Sequence, residues 1–165
     1  MATKHLWVTP LTANTLDQKE ELGIVRREWN STDSCFKTYK YVQASLTATA
    51  ANGIPLSFYG TTGTVAQDLN DNGFNNPAGV VTGTLTNSYY GWIQVGGYHS
   101  AVKTNGDDDI ADGASIVLGR AKRVVDSVAA GTASSVKLLG IAVAADVDAD
   151  DTVATLLCCD YADIT

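Results

Sequence analysis

The stretch that decides the fold lies near the middle of the chain and reads Tyr89-Tyr90-Gly91-Trp92-Ile93-Gln94-Val95-Gly96-Gly97-Tyr98. Aromatic and β-branched side chains are typical of strands, and glycines at both ends favour turns, bulges or close backbone approach. In a strand, Trp92 and Gln94 point to one face, and Ile93 and Val95 point to the other. We therefore predict a core strand that contains no acid, base, nucleophile or metal ligand.

Short apolar segments bounded by turn residues lie on both sides of this strand. The clearest is Phe36–Val42, which alternates. Its predicted faces are Phe36, Thr38, Lys40 and Val42 on one side, and Lys37, Tyr39 and Tyr41 on the other. Further strand-length segments lie at 54–60, 63–68, 78–85, 114–118, 136–144 and 152–159. Because no long segment has a helical period, we predict an all-β fold, a compact β-sandwich or β-barrel of jelly-roll or tulip-like form.

The amino-terminal region differs from the rest of the chain. We predict an extended arm over residues 1–21 and a single β-domain over residues 22–165. Large apolar side chains in an arm need a surface to cover them, so we expect Leu6, Trp7, Val8 and Leu11 to contact a partner. The arm would then be poorly ordered in the free protein, and deletion of residues 1–13 would leave stability near normal. The alternative is that Leu6–Leu11 is an ordinary first strand.

Charge and cysteine content limit the classes of function. The 165 residues have 11 basic and 18 acidic side chains, a net charge of -7, which argues against nucleic acid as a partner. Residues 42–102 contain only Asp68 and Asp71 as charged side chains, so we expect that region to pack against other subunits. No apolar run is long enough for a signal peptide or a membrane span, and we expect no membrane partner. Cys35, Cys158 and Cys159 contain no CxxC pair, so we predict free thiols, with Cys158 and Cys159 on opposite faces of a last strand.

Candidate catalytic and metal sites are weak. The acidic turns that begin at Asn105 and Asp146 have the spacing of a calcium loop, but both lack the glycine at position six and the glutamate at position twelve. His5 and His99 have no cysteine or acid at a diagnostic spacing, and no GxSxG motif is present. We therefore predict no metal, no cofactor and no catalytic residue, and we expect that the protein is not an enzyme.

The central strand also carries a family resemblance. Gly91–Gly97, which reads GWIQVGG, resembles a strand of small structural proteins of tailed bacteriophages, including marine and cyanobacterial phages. The similarity extends loosely over residues 22–161. Its further motifs are Leu22–Arg26, Tyr39–Val42, Pro77–Val80, Leu139–Ala142 and Val153–Cys159, in that order.

This resemblance implies a capsid decoration, or cement, protein. Such proteins bind the outside of the icosahedral shell, often as trimers, and hold neighbouring major capsid subunits together. The expected partners are therefore the phage major capsid protein and further copies of this chain in a homotrimer. The expected location is the outer capsid surface of the virion, after synthesis in the host cytoplasm.

Two other functions remain open. One is a tail, baseplate or head-fibre β-domain of a phage. The other is a carbohydrate-binding module, in which Tyr89, Tyr90, Trp92 and Tyr98 would form a sugar platform. Aromatic residues also dominate cores and subunit interfaces, which is the more ordinary role for them. In the capsid hypothesis, Tyr89, Tyr90 and Trp92 join the arm residues as contact residues.

Overall fold

A computed structural model describes residues 8–59, 63–68, 76–104, 110–118, 125–127, 138–145 and 152–159. These residues form eleven strands and no helix, which confirms the all-β prediction. The strands are β1 (Asn14–Thr15), β2 (Val25–Asn30), β3 (Cys35–Ser45), β4 (Pro55–Phe58), β5 (Val65–Gln67), β6 (Pro77–Val81), β7 (Tyr90–Lys103), β8 (Ser115–Leu118), β9 (Val125–Ser127), β10 (Leu138–Ala142) and β11 (Thr152–Cys158).

Strand β7 is the centre of the hydrogen-bonded network. One of its edges pairs with β3 from Tyr90 to Gly96. Its other edge pairs in turn with β1, β6 and β11. Thr38 of β3 pairs with Gly96 of β7, and the next residue, Tyr39, pairs with Gln94. Val95 therefore has no partner in β3 and is an extra residue in β7. Such a β-bulge bends a strand and increases its twist, and here it lies where β7 changes partner from β6 to β11.

The strand order is β2-β3-β5-β4-β6-β7-β11-β10-β8-β9, and the additional β3–β7 pairing closes a ring of five strands. The ring consists of β3, β5, β4, β6 and β7. Beyond it, β2 extends one side as an antiparallel hairpin with β3, and β11, β10, β8 and β9 extend the other. Strand β2 therefore ends the order on its side.

The two faces of β3 and β7 are buried in different surroundings. Val42, Ile93 and Val95 belong to the main core, whose members come from eight of the strands and the loops between them. Tyr39, Tyr41 and Trp92 form a second, aromatic cluster. This partition confirms the predicted alternation of both segments. The nearly uncharged region 42–102 supplies much of the main core, so burial within one chain accounts for part of its low charge.

Residues 8–24 cover the aromatic cluster. Leu11, Ala13, Leu22 and Ile24 pack against it, and β1 pairs with the start of β7. We predicted a boundary between an arm and the β-domain at residue 21. In the described structure, residues 8–21 contact the β-domain, and these contacts show no boundary there. Residues 1–7, with Leu6 and Trp7, lie outside the described residues, so the arm hypothesis for them stays a prediction.

Candidate functional site

A hairpin formed by β2 and β3 presents the most distinctive exposed surface of the described chain. Its turn is closed by Asn30, whose Oδ1 accepts a hydrogen bond from the backbone N–H of Asp33 at 2.9 Å. Ser34 completes the turn with a φ of 50°, in the left-handed region. The strand register then pairs Trp29 with Phe36, Arg27 with Thr38 and Val25 with Lys40. Because directly paired residues share a face, these six side chains form one surface, which we call the hairpin face.

Large apolar groups on the hairpin face are open to solvent. Trp29 is 56% exposed, Phe36 49% and Val25 46%. The rings of Trp29 and Phe36 meet edge to face, with centroids 5.1 Å apart. Single exposed apolar residues are ordinary, but a contiguous group with two aromatic rings is a candidate interaction surface.

The cations of the hairpin are divided between its two faces. On the hairpin face, the guanidinium of Arg27 lies 4.4 Å from the ring centroid of Phe36, and Lys40 Nζ lies 4.9 Å from that of Phe58. On the opposite face, Arg26 pairs with Glu28, and Lys37 Nζ lies 2.6 Å from Asp33 Oδ2.

The hairpin face thus holds two cations and no carboxylate. Both of its cations lie over aromatic rings. The cations of the opposite face also lie near rings, Arg26 near Trp92 and Lys37 near Tyr98, but they are in addition paired with acids. Aromatic residues and arginine are enriched at protein interfaces, so the hairpin face is the candidate functional surface.

Trp92 lies in the aromatic cluster, on the opposite face of β7 from Ile93. It is 2% exposed, and its indole Nε1 donates to Thr9 Oγ1 at 2.9 Å. Tyr41 packs edge to face against it at 5.2 Å and stacks on Tyr90 at 6.5 Å. These contacts make the cluster part of the interior, and a sugar platform built on Trp92 has no exposed surface here.

Glu20 fastens the amino-terminal segment over this cluster. The side chain is 7% exposed, and its Oε1 accepts hydrogen bonds from Val8 N, Thr9 N and Thr9 Oγ1, at 2.8, 3.0 and 3.1 Å. Arg26 Nη1 also donates to the carbonyl oxygen of Thr9 at 3.0 Å. Charge-assisted hydrogen bonds of this kind are stronger than neutral ones, so residues 8 and 9 are held firmly to the domain.

The contact residues predicted from sequence fall in different places. The aromatic cluster brings together Leu11, Tyr90 and Trp92. Leu11 and Tyr90 are half-buried there, and Trp92 is buried. Val8 is 72% exposed, and Tyr89 is half-buried. The prediction omitted Arg27, Trp29, Phe36 and Lys40. The sequence did contain a pattern that indicates this surface. A turn at residues 30–34 lies between Trp29 and Phe36, and such a turn predicts a hairpin in which these two residues pair.

Next to the hairpin, a buried histidine is held neutral. His99 is 6% exposed, and its Nδ1 accepts a hydrogen bond from the backbone N–H of Ala101 at 3.2 Å. Burial and the nearby Lys37 ammonium lower the pKa of His99 to about 4, against a smaller opposite effect of Asp33. Burial, assisted by Glu28, likewise raises the pKa of Tyr39 to about 12. Both groups are therefore neutral at pH 7 and suited to packing.

A second exposed surface lies on the far part of the sheet. Register pairs place Tyr98, Leu156, Ile141 and Ser115 side by side across β7, β11, β10 and β8, and we call them the outer row. Leu156 is 47% exposed and Ile141 41%. The described residues 138–145 and 152–159 contain no charged side chain.

The cysteines are free in the described structure, as predicted. Cys158 is exposed and Cys159 buried, so they lie on opposite sides of the chain. Neighbouring atoms partly shield the Cys158 thiol from water, and this desolvation raises its pKa. Within the described ranges, no three histidine, cysteine or acidic side chains come close enough to hold a metal ion. The acidic turns near 105–109 and 146–151 lie outside those ranges, as does His5.

No helix in the described part of the chain is long and apolar enough to span a membrane. Comparisons with protein-family models, with curated proteins and with solved structures found no match to this chain.

Proposed function

We propose that this protein is a virion structural protein that binds the outside of an icosahedral phage capsid and cements neighbouring major capsid subunits. The proposal joins the phage resemblance of the central strand to an assembly role for the hairpin face. It requires no catalysis and no cofactor.

One observation carries the assembly role: the exposed contact between Trp29 and Phe36, with Arg27 stacked on the Phe36 ring. Tryptophan and arginine are enriched among residues that dominate binding energy at interfaces. Covering an exposed aromatic side chain removes apolar area from water, which favours formation of a complex. We propose that this group meets the shell.

The outer row supports a second part of the proposal, the homotrimer. Each chain has a net charge of -7, so copies repel one another at close range. An uncharged apolar surface is the part of such a chain that another copy can cover at the lowest electrostatic cost. We therefore propose that Leu156 and Ile141 lie between subunits.

Reconstitution tests the function. Capsids assembled without this protein are mixed with the purified chain, and co-sedimentation is measured against concentration. We expect saturable binding, which the double variant Trp29→Ala/Phe36→Ala loses. The control is Tyr59→Ala, since Tyr59 is 63% exposed but lies outside the hairpin face. Binding only to isolated tails, or to a glycan array and not to capsids, would replace the proposal by one of the two other functions.

A further inference from the structure

We propose that the hairpin face binds a carboxylate-rich polypeptide segment, and that Arg27 is its principal charged contact. The inference rests on the proposed function for the identity of the partner, which is then an acidic segment of the shell subunit. It adds the chemistry of that partner and the residue that selects it.

The charge contrast within the hairpin is the first step. Arg26 and Arg27 are neighbours in sequence, and Arg26 has Glu28 beside it, two residues along the same face of β2. Arg27 has no ion-pair partner among the described residues, nor has Lys40. In a chain with 18 acidic and 11 basic side chains, two adjacent cations without carboxylates form a local positive surface. A carboxylate from a partner would neutralise them, as Glu28 and Asp33 neutralise Arg26 and Lys37 on the opposite face.

The position of Arg27 is the second step. Its guanidinium lies over the Phe36 ring. A guanidinium over a ring keeps its edge N–H groups available as donors, and those groups match the two oxygens of a carboxylate. Trp29 and Phe36 supply an apolar surface beside this charge. The face therefore fits a segment with an acidic residue next to an apolar one.

Nucleic acid is the main competitor for a surface with aromatic rings and cations. Proteins that bind single strands combine stacked aromatics with a groove that neutralises several phosphates. Two cations neutralise few phosphates, and the -7 charge of the chain opposes a long polyanion. At physiological salt the Debye length is about 8 Å, so a short acidic segment at the face interacts mainly with Arg27 and Lys40. The observations thus favour a polypeptide.

Charge reversal tests the inference on the full-length protein. Arg27→Glu is compared with Lys19→Glu, which makes the same charge change at a lysine whose side chain is 44% exposed, away from the face. Thermal unfolding first establishes that both variants fold. We expect Arg27→Glu to weaken capsid binding at least tenfold and Lys19→Glu to change it less than twofold. Equal binding by both variants would overturn the inference while leaving the capsid function intact, whereas absence of binding by the unmodified protein would remove the capsid function itself.

A second measurement does not depend on capsids. The ¹⁵N-labelled protein is titrated with a ten-residue peptide of alternating glutamate and leucine, with the lysine counterpart, and with single-stranded oligothymidine. We expect the acidic peptide alone to shift the Trp29 indole and Arg27 amide resonances, and to lose this effect with Arg27→Glu. Stronger shifts with oligothymidine would assign the face to nucleic acid, and equal shifts with both peptides would show unspecific apolar binding; either result contradicts the proposal.

Discussion

Gly97 lies two residues beyond the β-bulge of β7, at a position that requires glycine. Its φ is +84°, and a Cβ atom there would lie 2.3 Å from the carbonyl oxygen of Phe36 in the adjacent strand. The Gln94 amide supports the bend, because its Nε2 donates to the carbonyl oxygens of Gly96, Gly97 and Tyr98. Backbone conformation and close approach thus both require glycine at this position.

Replacement of Gly97 by alanine should therefore destabilise the fold strongly. The left-handed conformation costs about 1–2 kcal/mol for a residue with a Cβ, and forced overlap adds about 1–3 kcal/mol. Gly113→Ala is the matched control, since Gly113 has a φ of +80° and a Cβ atom there would have no neighbour within 4 Å. Denaturant unfolding should give a larger loss for Gly97→Ala, and equal losses would contradict the close packing.

His99 makes stability depend on pH. Its folded-state pKa of about 4 lies below the ordinary 6.5, so the unfolded chain binds the proton more readily. Its contribution is fully present above about pH 6.5 and is lost as pH falls toward 4. One pKa unit corresponds to about 1.4 kcal/mol, so the loss between pH 7 and 5 should reach about 2 kcal/mol.

The non-titrating variant His99→Asn separates this effect from the carboxylates. Its amide oxygen can accept the Ala101 N–H in place of Nδ1. Unfolding free energies of both proteins, measured from pH 7 to 5, should converge as the pH is lowered. Parallel curves would show that His99 does not titrate with folding.

At the scale of elements, the amino-terminal segment belongs to the fold as far as residue 8. Thr9, Leu11 and Ala13 cover Trp92 and Tyr41. From the sequence we expected deletion of residues 1–13 to leave stability near normal. These contacts instead predict a loss of stability. Removing the segment exposes the aromatic cluster and leaves Glu20 without the donors of residues 8 and 9.

Two truncations distinguish the two parts of this segment. Deletion of residues 1–13 should lower the unfolding free energy by several kcal/mol, from lost burial and broken hydrogen bonds. Deletion of residues 1–7 retains the contacts among described residues and should cost much less. If the shorter deletion also abolishes capsid binding without loss of stability, Leu6 and Trp7 are anchors as predicted; unchanged binding would contradict the arm hypothesis.

Local patterns in the sequence predicted the strands, but they did not predict which distant strands pair with each other. Period-two alternation placed Tyr39 and Tyr41 opposite Val42, and Ile93 opposite Trp92, because side-chain direction depends only on neighbouring residues. The partners of β7 come from positions as distant as 14 and 158, and no local signal encodes them. Trp92 is for this reason among the contact residues expected from the sequence: its cover comes from Thr9, 83 residues away, and no local pattern indicates it.

At the scale of the whole molecule, the described residues present two exposed surfaces, which we propose serve two kinds of partner. The hairpin face is cationic and aromatic, and the outer row is uncharged, with the apolar side chains of Leu156 and Ile141 at its centre. Strands β3 and β7 connect them, since β2 pairs with β3 and β11 pairs with β7. A protein that both binds a shell and associates with its own copies needs two such surfaces.

Leu156→Asp tests the assembly of copies. A carboxylate in the outer row would be buried at great cost in a subunit interface, so we expect a lower mass by light scattering, or loss of threefold density on particles. Leu16→Asp is the control, because Leu16 is 64% exposed and lies outside the row. An unchanged oligomer in Leu156→Asp would exclude this surface from the interface.

The central claim is that the chain is a component of the capsid surface, and its copy number in intact virions tests this most directly. Quantitative mass spectrometry of purified particles measures the chain relative to the major capsid subunit. We predict a fixed ratio that scales with the shell lattice, with the chain present on every particle. A few copies per particle that partition with isolated tails, or absence from purified virions, would contradict it.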